Sequence, residues 1–77
     1  MLIYSTNGNK NAVFNTDFVS SITCEYTELP DGKYWDIVVC DLTGNKHILK
    51  RYFRNPSHIM YAFKQSIKHK EDSFNFQ

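Results

Sequence analysis

The chain has 77 residues and a formal net charge of +1, so it makes one small domain that hides only about 60–65% of the surface its unfolded form exposes. It has two cysteines with no CxxC or Cys/His spacing, no apolar run long enough for a bilayer and no N-terminal signal pattern. These features exclude a disulfide scaffold, a zinc module and a membrane-spanning helix, and lead us to expect a cytoplasmic protein with free thiols.

Leu2–Ser5 reads as a strand, and NGNK (7–10) reads as a hairpin turn leading to its partner at Ala12–Asn15. Val19–Leu29, rich in Thr, Ile and Tyr, fits a longer strand. LPDGK (29–33) is a turn in which proline presets one backbone angle and glycine accepts a positive one. YWDIVVCDL (34–42) is the strongest strand signal, TGNK (43–46) turns again, and His47–Phe53 follows as a fifth strand. Four hairpin links in succession predict an antiparallel meander.

Asn55 is placed to cap a helix that begins at Pro56. Ile59, Met60, Phe63 and Ile67 recur at helical spacing, and Lys64, Lys68, His69 and Lys70 gather toward the C-terminal end, where positive charge suits the helix dipole. The expected fold is therefore α+β: a small antiparallel five-stranded β-meander over residues 1–70, one C-terminal α-helix packed on one face, and a flexible tail over 71–77. Whether Phe74 and Phe76 of that tail dock is left open.

If the second hairpin pairs Leu29 with Tyr34, Cys24 faces Val39 and Tyr26 faces Ile37. Cys40 then points to the opposite face from Cys24, so the two cysteines do not bridge. One face carries Ile22, Cys24, Tyr26, Trp35, Ile37 and Val39, which the helix can cover. The other carries Val38 and Cys40, with Tyr34 nearby and either Leu49 or Ile48. A lone helix cannot cover both faces, so the second one suggests self-association or a ligand surface.

No residue set carries recognisable catalysis or metal binding. Nothing in the sequence around Cys24 or Cys40 activates a thiol. His58 and His69 are eleven apart, about 16 Å along a helix, too far to share an ion. HExxH, calcium-loop and phosphate-loop patterns are absent. The expectation is a protein that is not an enzyme and needs no cofactor.

Charge is unevenly spread. Residues 1–41 hold two lysines against six acids, whereas residues 42–70 hold five lysines and two arginines with no acid. The basic focus is HILKRYFRNP (47–56). Cations beside aromatics are the chemistry of nucleotide and single-strand binding, with cations meeting phosphates and a ring stacking on a base. Lys50, Arg51 and Arg54 are the candidate phosphate contacts and Tyr52 the candidate stacking ring. The bland alternative is a solvated strand edge. A net charge near zero and the lack of a recognition-helix motif argue against duplex DNA.

AVFNTDFVSSI (12–22), YWDIVV (34–39), HILKRYF (47–53) and the stripe at Ile59, Ala62, Phe63 and Ile67 together resemble very small accessory proteins of phages and prophages of Gram-positive bacteria. The resemblance spans most of residues 2–67; the Asn-Pro helix start and the basic last strand depart from it. It implies a sheet-plus-helix fold and an accessory, anti-defence role in the host-cell cytoplasm. The leading expectation is a homo-oligomer that sequesters a small anionic ligand of the nucleotide type. The alternatives are an inhibitor that docks on a host defence protein, in which the acidic Asp17, Glu25, Glu28 and Asp31 could matter, and, third, a single-stranded nucleic-acid binder.

Overall fold

A computed structural model describes residues 1–7 and 10–77, and it is α+β: six strands in two three-stranded sheets with one helix. The strands are β1 (Leu2–Asn7), β2 (Lys10–Asn15), β3 (Val19–Leu29), β4 (Gly32–Asp41), β5 (Lys46–Tyr52) and β6 (Ser73–Phe76); the helix α1 spans Ser57–Lys68. Sheet A runs β2-β1-β6 and sheet B runs β3-β4-β5. β1 and β2 pair antiparallel from Leu2↔Asn15 to Asn7↔Lys10. The turn expected at NGNK centres on Gly8 and Asn9, which lie outside the described residues.

The single meander is corrected at two places. Between β2 and β3 there is no hairpin. Asn15 caps a short 3₁₀ turn at Thr16–Phe18, its Oδ1 accepting the Asp17 backbone N–H at 3.0 Å. The chain thereby turns a corner into the other sheet instead of folding back on β2. Further along, the stretch expected to be a loose tail is a strand: β6 runs parallel to β1, from Leu2↔Ser73 to Ser5↔Phe76. The Leu2 N–H donates to the Asp72 carbonyl at 2.9 Å, where this pairing begins.

What turns the chain back toward β1 is the end of the helix. The Glu71 N–H reaches the Ser66 carbonyl and the Lys70 N–H the Ile67 carbonyl, at 3.0 and 3.1 Å. Lys70 sits between them in the left-handed region at φ 56°. This paired arrangement closes helices with a residue at positive φ, usually glycine. At its other end, α1 starts one residue later than the sequence suggested, and Asn55 Oδ1 still accepts the Ser57 N–H at 3.0 Å.

Two local features set the register of sheet B. The β3–β4 turn is tighter than expected: Leu29 pairs with Gly32 across Pro30–Asp31, so Cys24 faces Ile37 and Tyr26 faces Trp35. The slip is two residues, which preserves the assignment of faces because side chains alternate with period two. Between β4 and β5 the register shifts at Ile37/Val38, where Ile37 pairs with Lys50 and Val38 with Ile48. Leu49 is the extra residue of that bulge. It is fully buried, while Ile48 is exposed.

The core is Ile3, Ile37, Val39, Leu49, Phe63 and Phe76. Each element contributes few members, and they come from β1, β4, β5, α1 and β6, so the apolar face of sheet B is covered by sheet A and the helix together. Phe63, Phe74 and Phe76 form a ring cluster with centroids 4.9–5.3 Å apart. Among the described residues no helix is long and apolar enough to cross a membrane.

Candidate functional site

β5 and the residues after it carry the basic segment of the sequence. Strand alternation separates its candidate residues. Lys50 and Tyr52 lie opposite Ile37 and Trp35, on the core side of sheet B; Arg51 lies opposite Asp36, on the outer side. Arg54 lies past the end of β5. The four residues therefore do not converge on one surface. Lys50 Nζ is 5.9 Å from the Tyr52 ring centroid. The Tyr52 ring packs against the core, and burial pushes its hydroxyl up to about 12.

Arg51 makes the most specific contacts of the group. Its Nε and terminal nitrogen donate to the two carboxylate oxygens of Asp36 at 2.8 and 3.0 Å, and its guanidinium carbon lies 4.5 Å from the Tyr34 ring centroid. A forked pair on a ring face holds the guanidinium in one orientation. Asp36 is 8% exposed, so Arg51 neutralises a carboxylate that the strand carries into a nearly dry position.

Two further pairs involve more exposed carboxylates. Lys46 Nζ is 3.5 Å from Glu25, and His47 Nε2 is 3.0 Å from Asp41. Each of these three ion pairs thus joins the basic segment to the acidic first half. They match two of the seven lysines and arginines of residues 42–70, Lys46 and Arg51, within the chain, along with His47. Asp41 also accepts from the Thr43 N–H and hydroxyl and from the Asn45 N–H. Those donors, Thr43 first and His47 next, hold its carboxyl far below the ordinary carboxylate range. The β4–β5 turn is therefore tied down at neutral pH, and it loses that contribution only as pH falls below the ordinary carboxylate range.

The cysteines are free and apart. Burial, then the Asp36 charge, pushes the Cys24 thiol up. Cys40 pairs with Lys46 and not with His47, which faces Val39. No group of three or more potential metal ligands gathers among the described residues.

A groove that sequence reasoning did not find runs between β3 and α1. It consists of two hollows, of about 600 and 510 Å³, which share Ile22, Met60 and Lys64. On the strand side, the first is lined by Val19, Ser20, Ser21 and Ile22, the second by Ile22, Thr23 and Cys24. Side chains on a strand alternate between faces, so a hollow under one face would be lined by every second residue. The register of β3 shifts between Val19 and Ser21, which breaks the alternation in the first hollow. Beyond it, the consecutive lining by Ile22, Thr23 and Cys24 means that the groove follows the strand's edge, where backbone groups point. β3 is an outer strand of sheet B with no strand paired to its far side among the described residues. From Thr23 to Leu29 it is exposed throughout.

The helix forms the other wall. Phe63 anchors it in the core, leaving Met60 half-buried and Tyr61 and Ile67 exposed, at 65% and 53%, toward the groove. The amphipathic stripe of α1 thus divides its apolar residues between the core and this open channel. No family model, curated protein or solved structure matches the chain.

Proposed function

We propose that this is a non-catalytic binding protein that docks on another protein by taking an extended segment of it into the β3–α1 groove. The observation that carries this reading is the open backbone edge of β3 along one wall of an apolar channel. An unpaired edge offers a row of N–H and C=O groups, and an extended segment that pairs with them gains affinity from main-chain hydrogen bonds and selectivity from pockets for alternate side chains. Each hollow of the groove, at about 600 and 510 Å³, falls in the range of roughly 300–1,000 Å³ typical of binding sites. In the phage setting suggested by the sequence resemblance, such a protein would act as an inhibitor seated on a host defence protein.

The test is selection from a displayed library of random extended peptides, followed by amide hydrogen exchange on the complex. Slowed exchange confined to residues 19–24 is the expected result. Selected binders that leave those amides unchanged would refute the reading.

A second reading is capture of an anionic small ligand of the nucleotide type by a homo-oligomer. It draws support from Arg54, which forms no ion pair among the described residues, next to Phe53, which is 73% exposed. Of the four expected contacts, Arg51 is committed to Asp36, so reversing its charge would disturb the fold as well as any ligand. Arg54→Glu alone is the clean variant for this reading.

A further inference from the structure

Resting on the strand-addition reading above, we infer that the groove selects an extended peptide that carries a bulky apolar residue and, two positions away, a carboxylate. The two hollows differ in chemistry. The first has an apolar floor of Val19, Ile22, Met60, Phe63 and Ile67, and its charges, Lys64 and Lys70 against Glu71 and Asp72, balance. The second has Lys64 as its single charged lining residue, beside the polar Asn55, Ser57 and Thr23. A carboxylate is therefore favoured in the second hollow and gains no net attraction in the first.

Spacing follows from the strand. The lining stretches 19–22 and 22–24 are offset by two to three residues along β3. A strand added to that edge advances about 3.3 Å per residue and presents every second side chain on one face. Positions i and i+2 of the incoming segment thus meet the two hollows, one apolar and one acidic. β3 itself contributes no cation between Val19 and Leu29, so the choice for acid comes from the helix wall, through Lys64. Lys64 is exposed and helical, so its replacement leaves the core untouched.

The experiment uses three blocked octapeptides of alternating threonine and valine that share one central leucine and differ only two positions from it: glutamate, glutamine or lysine. Affinities are measured by fluorescence anisotropy for the wild type and for Lys64→Glu, with amide exchange of residues 19–24 as the readout of strand addition. The glutamate peptide should bind the wild type best. Lys64→Glu should weaken it by about tenfold, the loss of an attraction plus the gain of a repulsion at a partly exposed site, and should bind the lysine peptide best.

Equal protection of β3 by all three peptides would overturn the acid preference while leaving the groove reading in place. If no peptide protects β3, the groove reading falls with it. Protection that rises with protein concentration alone would assign the groove to a second copy of the chain and overturn the peptide as its occupant.

Discussion

The two sides of sheet B have opposite fates. On the β5 side, β1 comes alongside, and Phe14 of β2 lies against His47 with ring centroids 5.4 Å apart. The bulge drives Leu49 into the core, and Arg51 is fixed on Asp36. Among the described residues neither outer edge of sheet B carries a paired strand, but on the β3 side the facing wall is a helix that stands off across a channel. The more conspicuous sequence is at the closed side. In HILKRYFRNP, His47 and Arg51 are committed to acids and Leu49 to the core, whereas VSSITCEYTEL looks ordinary and carries the edge along the groove. The difference teaches that a charge cluster in a small domain has to be matched against the rest of the chain before it is assigned to a ligand.

The closed side can be broken most severely at Phe76. Its ring is fully buried and touches both Phe63 and Phe74, so it ties β6, and through β6 the strand β1, to the helix. Phe76→Ala should cost about 4 kcal/mol. A chain of this length has a net stability of about 4–12 kcal/mol, so the variant should sit close to its unfolding threshold in urea titration. A loss below about 1 kcal/mol would mean that the last seven residues are not part of the core.

Much of this arrangement was legible in the sequence, and its failures have physical causes. The β1–β2 pairing, the turns at LPDGK and TGNK (the latter one residue earlier than expected, between Asp41 and Lys46), and the helical stripe all have local signals. Because the register error was even, Ile37 and Val39 were placed on the correct face. β6 escaped because SFNF is only four residues long and pairs with a strand some seventy residues away, a contact with no local signature. The choice between Leu49 and Ile48 depended on a bulge that only three-dimensional packing decides. The Arg51–Asp36 pair escaped for a related reason: it joins residues fifteen apart through a register that the composition split did not consider. The groove was invisible because it depends on where the helix comes to lie against the β3 edge, which no local pattern specifies.

A smaller effect separates two arginines of the same motif. Arg51→Met leaves the carboxylate of Asp36, 8% exposed, without its partner. Arg54→Met removes an exposed charge with no ion pair among the described residues. The Arg54 variant should stay within about 0.5 kcal/mol of the parent, and the Arg51 variant should melt distinctly lower. Adding Asp36→Asn to Arg51→Met should restore part of the loss, since removing both charges costs less than stranding one. Equal melting temperatures for the two single variants would return Arg51 to the pool of ligand-binding candidates.

A modest change of the opposite sign is expected where the helix turns toward β6. Lys70 holds a left-handed conformation at φ 56°, at the turn that sends the chain toward β6, and it also lines the apolar hollow of the groove. A residue with a side chain is strained there by about 1–2 kcal/mol relative to glycine, which gives back part of that gain through its greater freedom when unfolded. Lys70→Gly should therefore stabilise the fold by roughly 0.5–1 kcal/mol in urea titration. If the lysine serves only to end the helix, peptide affinity at the groove should be unchanged in the stabilised variant. If affinity falls while stability rises, the strain is retained for the sake of a cation at the mouth of the groove, where Glu71 and Asp72 would otherwise leave the hollow acidic. Because the two readouts move in opposite directions only in that case, this substitution separates a structural lysine from a working one.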